Sequence, residues 1–188
     1  MRQTAALLRS RPTRYIPGFD IPEILPDNNS FVINCDGGYN RYEGIGSVGI
    51  VIQNRVTKET FELFDTDSST GSSVQELKAV IMALEVLPEG ASITVRSDCK
   101  QLVDHVNKKM EYMRKGTRTG KLRTYIIHKE LWGQLEKFLH TRKISFSWVR
   151  GHNGDPGNVR ADQLATKSQK QYLKSGSGFG FASNLALA

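Results

Sequence analysis

The sequence of 188 residues has few cysteines and no long apolar run, and each shortage excludes a class of protein. Cys35 and Cys99 stand in no CxxC pair and in no His/Cys cluster, so we expect no zinc site. One disulfide or two free thiols would account for them, and we favour free thiols in a reducing compartment. No apolar run approaches the ~20 residues of a membrane-spanning helix, so we expect no membrane partner.

Basic residues are in excess over acidic ones. Lys and Arg number 26 against 19 Asp and Glu, and the formal net charge is +7. This excess favours an anionic partner, nucleic acid more than a membrane surface. Hydrophobic residues make up 38% and charged residues 24%, a composition typical of a folded domain rather than a disordered chain.

Both ends of the chain differ in composition from the middle, so we divide it into residues 1–29, a domain over 30–170 and residues 171–188. The first 19 residues hold four arginines and no acid, which fits a flexible or docking tail or a mitochondrial presequence. We expect a cytoplasmic protein in the first case and a mitochondrial one in the second. The final SGSGFGFASNLALA is typical of a Gly/Ser linker with a short apolar tag, or of a natural tail.

The middle of the chain alternates strand and helix patterns. β-branched and aromatic residues predict strands over 30–36, 47–54, 58–66, 92–98 and 143–151. Apolar residues at 3.6-residue spacing predict helices over 72–87, 99–110, 125–140 and 159–173. The first three strands form an antiparallel meander, and the order βββ-α-β-α-α-β-α predicts an α/β sheet with parallel strands later.

Four acidic residues are expected at one rim of this sheet. Asp36 and Asp98 end two strands, and ligands of such sheets bind beyond the carboxyl ends of strands. Glu76 and Asp162 fall in the first turns of two helices, although Ser73 and Glu76 also have capping-box spacing. Carboxylates this close repel one another, whereas Mg²⁺ prefers oxygen ligands and would stabilise the cluster.

The order of these motifs resembles that of type 1 ribonucleases H. NCDGG resembles the Asp-Gly motif of the first strand, and SSVQELKAVIMALEVL resembles the helix that supplies a glutamate. VRSDCKQLV resembles the Ser-Asp-Ser junction, and SWVRGHNGDPGNVRADQLA the histidine loop with the last helix. The resemblance covers about residues 30–170 and implies a ribonuclease H-like mixed five-stranded sheet with helices on both faces.

The resemblance also implies an activity. The chain would be a monomeric endonuclease that hydrolyses the RNA strand of an RNA–DNA hybrid, leaving 5′-phosphate and 3′-hydroxyl ends. Two Mg²⁺ ions, with Mn²⁺ as a substitute, would be held by Asp36, Glu76, Asp98 and Asp162. His152 lies in a Gly-rich loop and would assist product departure or proton movement. Asn158 is the predicted cap of the last helix and matches the asparagine that begins this helix in the family.

Four positions depart from the family pattern. Cys99 follows Asp98 where the family usually has serine, and a thiol is the weaker hydrogen-bond partner. Gly38 replaces the serine commonly found after Asp-Gly. Ser72 and Ser73 stand where related bacterial enzymes carry an asparagine pair that contacts the RNA 2′-hydroxyl, so discrimination of RNA is expected to be altered.

A basic segment lies at 106–130, with eight basic and two acidic residues and therefore a charge of +6. It resembles the basic protrusion with which bacterial members bind the hybrid. We expect phosphate contacts from Lys108, Lys109, Arg114, Lys115, Arg118, Lys121 and Arg123, with Gly38, Ser72, Ser73 and Asn158 as further nucleic-acid contacts. Trp132 is expected in the core.

Two alternatives to the enzyme remain at this point. One is a non-catalytic nucleic-acid-binding or structural module of a larger nucleoprotein assembly, because a fold does not determine a function. The other is a related nuclease or integrase of the same superfamily. The module would not need its acids, and the spacing of His152, Asn158 and Asp162 argues against the related nuclease.

Overall fold

The computed structural model describes residues 15–16, 19–20, 30–68, 71–116, 128–151 and 154–183. Most of the predicted N-terminal tail, His152, Arg118, Lys121 and Arg123 lie outside the described residues. The strands are β1 (Tyr15–Ile16), β2 (Phe19–Asp20), β3 (Ser30–Asn40), β4 (Ile45–Asn54), β5 (Thr60–Ser68), β6 (Ser92–Ser97), β7 (Lys143–Trp148) and β8 (Gly180–Ser183). The helices are α1 (Ser72–Glu85), α2 (Lys100–Lys115), α3 (Lys129–Thr141) and α4 (Pro156–Ser175).

Six strands form one mixed sheet in the order β7-β6-β3-β4-β5-β8, while β1 pairs with β2. The β3–β4–β5 meander is antiparallel and β6 and β7 run parallel to β3, as predicted. The strand count differs from the expected five because β8 pairs antiparallel with β5, within the segment assigned to a tail. A Cβ atom at Gly180 would lie 2.5 Å from Cε2 of Phe64, so this glycine permits close packing rather than marking a linker.

Helices cover both faces of the sheet, as expected. The larger core lies between the sheet and the helices α1, α2 and α3, and includes Phe31, Ile33 and Cys35 from alternate positions of β3. Trp132 belongs to this core, with 5% of its surface exposed. On the opposite face α4 packs against β4 and β5 through a smaller apolar cluster: Val51, Phe64, Ala161 and Leu164.

Two predicted helix caps are wrong. The N-cap of α1 is Gly71 and no side chain caps this helix, so Ser73 and Glu76 form no capping box. The cap of α4 is Asp155, whose carboxylate accepts a hydrogen bond from the main-chain N–H of Asn158 at 3.1 Å. The helix α4 therefore begins at Pro156, where proline has no N–H to leave unpaired.

The helix α2 extends five residues beyond its predicted end at 110. An ion pair between Lys115 and Glu111, at 2.5 Å and four residues apart, supports its last turn. Gly116 ends the helix with φ 62°, a left-handed conformation that glycine adopts without steric cost.

Both thiols are free, as favoured from the sequence: Cys35 is buried and Cys99 is half-buried. Among the described helices, none combines the length and the apolar character needed to cross a bilayer.

Candidate active site

Three carboxylates converge at one edge of the sheet. Asp36 lies in β3 and Asp98 directly follows β6, the parallel neighbour in which Ser97 is the register partner of Cys35. Glu76 reaches the same place from the first half of α1. One oxygen of each carboxylate lies within 4.8 Å of the others. This part of the predicted cluster is present.

Close approach of α1 to β3 depends on Gly37, the residue after Asp36. A Cβ atom at Gly37 would lie 2.6 Å from the main-chain carbon of Gln75 and 2.8 Å from Cα of Glu76, distances that real Cβ atoms do not adopt. Gly37 therefore allows Glu76 to stand beside Asp36. The Asp-Gly pair provides one carboxylate of the cluster and the space for another.

Glu76 has a raised pKa. Its side chain is 7% exposed, and burial together with the charges of Asp36 and Asp98 raises its pKa to about 8. Hydrogen bonds from the main chain of Gly37 and from Ser97 act in the opposite direction. Ser97 Oγ donates to Glu76 Oε2 at 3.3 Å, while the N–H of Cys99 donates to Ser97 Oγ at 3.0 Å.

Asp98 is held from three sides. Asn158 Nδ2 donates to its Oδ2 at 3.2 Å, and Trp148 Nε1 donates to its main-chain oxygen at 3.0 Å. A Cβ atom at Gly151 would lie 2.5 Å from the same Oδ2, so the turn after β7 passes close to this carboxylate. Sequence reasoning missed Trp148 and Gly151, because their proximity depends on the pairing of β7 with β6.

Asp162 occupies a different position from the one predicted. It lies in the second turn of α4, not the first, and is half-buried. Among the described acidic residues, the group within 4.8 Å consists of the other three. Asp162 nevertheless follows Ala161 on the turn of α4 that packs over Gly49. A Cβ atom at Gly49 would lie 2.7 Å from the main-chain N atom of Ala165. Gly49 is the register partner of Asp36, so α4 carries Asp162 across the same region of the sheet.

The predicted contacts near the cluster are differently exposed. Ser72 and Ser73 are exposed in the first turn of α1, on the turn before Glu76. Gly38 is half-buried, and a Cβ atom there would lie 2.8 Å from Ser47 Oγ. Ser47 Oγ accepts a hydrogen bond from Gln169 at 2.8 Å, so this pair fills the space where a serine at position 38 would project.

The basic residues of α2 divide into two groups. Lys108, Arg114 and Lys115 are exposed. Lys109 is only 7% exposed and lies 2.9 Å from Glu136 of α3, so the expectation of a phosphate contact there is wrong. Its ammonium group pairs with a carboxylate between two helices.

The three converging carboxylates fit a divalent cation. Carboxylate oxygens are the ligands that Mg²⁺ and similar hard cations bind. Burial, and after it the charges of Asp36 and Asp98, raise the pKa of Glu76, and a cation bound there would favour the ionised form. This edge of the sheet is therefore a candidate divalent-metal site.

Comparisons with known proteins agree with this arrangement. The sequence model of the RNase H family matches residues 28–170. Ribonuclease H of Methylorubrum extorquens (strain PA1) is 36% identical over 143 residues, which are 76% of this chain and 61% of that protein, so the chain spans less than two thirds of this relative. Ribonuclease H of Francisella tularensis subsp. novicida (strain U112) is 30% identical over 148 residues, covering 78% of this chain and 95% of that protein.

A solved structure shares the fold. The crystal structure of LC9-RNase H1, described as a type 1 RNase H with the type 2 active-site motif, superposes with a TM-score of 0.61 at 19% identity. The match covers 84% of this chain and 78% of the other. With the family match over most of the chain and the carboxylates in place, the chain belongs to the ribonuclease H family.

Proposed function

We propose that this chain hydrolyses internal phosphodiester bonds of the RNA strand in an RNA–DNA hybrid, leaving 5′-phosphate and 3′-hydroxyl ends. The observation that carries the proposal is the convergence of Asp36, Glu76 and Asp98 within 4.8 Å in a member of the ribonuclease H family. A module that only binds nucleic acid gains nothing from three repelling carboxylates, one of them buried.

The proposed cofactor is Mg²⁺, two ions per site, with Mn²⁺ as a substitute. Asp36, Glu76 and Asp98 would hold the ions, with Asp162 as the fourth ligand from α4. When bound, such ions lower the pKa of the attacking water and stabilise the leaving 3′-oxygen. Carboxylates at this spacing suit that task because hard cations bind oxygen ligands while keeping several waters.

The chain's own residues orient these ligands and handle protons. Ser97 fixes one oxygen of Glu76, and Asn158 fixes one oxygen of Asp98. His152 directly follows Gly151, where a Cβ atom would lie 2.5 Å from Oδ2 of Asp98. We assign to His152 a role in product departure or proton movement, since histidine is the side chain suited to proton exchange near neutral pH.

Substrate binding would use two surfaces. Ser72 and Ser73 are exposed one turn before Glu76, and their hydroxyls can donate to and accept from an RNA 2′-hydroxyl. Lys108, Arg114 and Lys115 are exposed along α2 and would contact phosphates, with Arg118, Lys121 and Arg123 following in the sequence. The 2′-hydroxyl contact separates RNA from DNA, while the phosphate contacts contribute affinity for either strand.

The test is cleavage of a hybrid labelled at the 5′ end of its RNA strand, beside duplex RNA and duplex DNA of the same sequence. Internal RNA fragments should form from the hybrid with Mg²⁺ and not with excess EDTA. Extension of the fragments by a polymerase would establish their 3′-hydroxyl ends. Intact hybrid after incubation with Mg²⁺ or Mn²⁺ would refute the proposed activity, and equal cutting in EDTA would refute the metal mechanism.

A further inference from the structure

The first turn of α4 rests on two neighbouring strands. Arg96 of β6 and Asn34 of β3 are register partners, and both face α4. Arg96 forms an ion pair with the cap residue Asp155 at 3.1 Å, and the side-chain amide of Asn34 lies against Gly157. Two adjacent positions of the sheet therefore support two adjacent parts of the helix start.

This support lies two residues before the metal-site carboxylates. Asn34 precedes Asp36 by two residues on β3, and Arg96 of β6 precedes Asp98, the residue after that strand, by two. Side chains two residues apart on a strand point to the same face. The height at which α4 sits over Asn34 therefore also determines its height over Asp36 and Asp98.

The contact between Asn34 and Gly157 leaves no space for a side chain. A Cβ atom at Gly157 would lie 2.5 Å from Cγ of Asn34, about 1 Å short of the 3.4 Å at which ordinary van der Waals contact begins. Asn34 cannot turn aside easily, because it is 4% exposed. The bulk of Asn34 thus limits how closely the helix approaches the sheet.

Stability does not explain an asparagine at this position. Within the described part of the chain, its Oδ1 is buried without a hydrogen-bond partner. A buried polar atom left unpaired destabilises a fold, and an apolar side chain of similar shape would avoid that cost. Departures from this rule are expected where a residue serves function.

We propose that Asn34 is a positioning residue for the hydrolysis proposed above. By setting the distance between α4 and the sheet, it sets where Asn158 and Asp162 stand relative to Asp36 and Asp98. The hydrogen bond of 3.2 Å between Asn158 Nδ2 and Asp98 Oδ2 is the contact through which a displaced helix would disturb the site. The activity readout rests on the proposed function, and the metal-binding readout described below does not.

The first variant is Gly157→Ala, whose methyl group must push α4 away from Asn34 by about 1 Å. A displacement of that size at a catalytic constellation can lower the rate by ~10²-fold, so kcat at saturating hybrid should fall by about that factor. The matched control is Gly133→Ala in α3, where an added Cβ atom would meet nothing within 4 Å. This control should keep the kcat of the wild type.

The decisive variant is the double substitution Asn34→Ala/Gly157→Ala. Shortening Asn34 makes room for the added methyl group, so the double variant should recover most of the kcat lost in Gly157→Ala. The concentration of Mg²⁺ that gives half of the maximal rate should rise in the single variant and return in the double one. A fully active Gly157→Ala, or a double variant as impaired as the single one, would overturn the proposal.

Two further measurements keep the test open if Gly157→Ala folds poorly or the wild type lacks activity. Asn34→Gln lengthens the side chain against an unchanged Gly157 and should also lower kcat, and full activity of this variant would contradict the proposal. The rise in melting temperature on adding Mn²⁺ should shrink in Gly157→Ala and return in the double variant. If the wild type is inactive but these changes in the Mn²⁺-induced rise are seen, the proposed function fails while the positioning role of Asn34 stands. If the rise is the same in all three proteins, the positioning role of Asn34 fails.

Discussion

The ammonium group of Lys109 lies 2.9 Å from Oε1 of Glu136, although the neighbouring Lys108 is exposed. Two adjacent lysines of one basic segment therefore have different roles. Lys109 joins α2 to α3, whereas Lys108 projects from the surface. The two residues have the same chemistry and differ in burial, so they form a matched pair for substitution.

Replacing Lys109 with alanine should lower the free energy of unfolding by about 2 kcal/mol, the range for hydrogen bonds to charged groups. Lys108→Ala should leave stability unchanged and instead reduce the salt dependence of hybrid affinity, by roughly 0.7–0.9 in the slope of log affinity against log salt. Urea denaturation and salt titrations of both variants measure the two effects. If Lys108→Ala lowered stability and Lys109→Ala changed the salt slope, the burial of Lys109 would not decide its role.

The raised pKa of Glu76 predicts how the stability of the metal-free protein depends on pH. Its folded pKa is about 8 against an ordinary value of 4.5, so the folded state holds this proton after the unfolded state has lost it. Stability from this group is therefore full below about pH 4.5 and is lost as the pH rises towards 8. Each pH unit in that window lowers the free energy of unfolding by at most about 1.4 kcal/mol.

The measurement is the melting temperature between pH 5 and pH 8 in EDTA. It should fall with pH in the wild type and fall less in Glu76→Gln, which cannot ionise at this position. Saturating Mg²⁺ should flatten the wild-type profile, since a bound cation favours the ionised carboxylate. If the melting temperature of Glu76→Gln fell with pH as steeply as that of the wild type, Glu76 would not be the cause of the pH dependence.

Asp36→Asn and Asp98→Asn should each abolish or nearly abolish turnover and leave the metal-free protein folded, slightly more stable than the wild type. Turnover should be lost because each substitution removes a proposed metal ligand. Stability should rise because each substitution also removes a charge that raises the pKa of buried Glu76. Asp104→Asn, an exposed change on α2, is the control and should retain activity. Cleavage rates in Mg²⁺ and melting temperatures in EDTA give both readouts, and a near wild-type rate in either site variant would exclude that residue as a ligand.

Removal of residues 176–188 should destabilise the domain, because it deletes β8 from the edge of the sheet. Ser168 Oγ donates to the main-chain oxygen of Gly178 at 2.9 Å, and Gln171 Nε2 to that of Phe179 at 3.2 Å. At about 1 kcal/mol for each hydrogen bond, the loss of these bonds and of the strand pairing should be evident in chemical denaturation. Removal of residues 184–188 alone retains β8 and should have no such effect; equal stability of both truncations would show that β8 contributes nothing.

The sequence predicted the elements whose signals are local. Apolar spacing located α1 through Leu77, Val80, Ile81 and Leu84, all of which are buried. The acid that ends a strand was recognisable at Asp98, and Asp36 was recognisable although its strand continues to Asn40. Periodicity and strand composition were sufficient for these features because each depends on neighbouring residues.

Features that depend on contacts distant in sequence were missed or misplaced. The glycines around β8 favour a linker in the sequence because glycine occurs both in flexible segments and where the backbone packs closely. Only the contact of Gly180 with Phe64 shows that close packing is the reason here. Lys109 was grouped with surface cations because its partner, Glu136, lies on another helix. The position of Asp162 in the helix differs from the prediction because Asp155, and not Asn158, is the N-cap of α4.

The glycines at positions 37, 49 and 157 have a consequence for interpreting saturation mutagenesis of this domain. Side chains at these positions would collide with α1 or α4, or with Asn34 beneath α4, so most substitutions there should score as severely as loss of an acid. A map of activity alone would thus mark glycines and carboxylates as equivalent. Pairing that map with a map of protein abundance separates them, since loss of Asp36 or Asp98 preserves abundance whereas crowding at Gly37 or Gly49 reduces it.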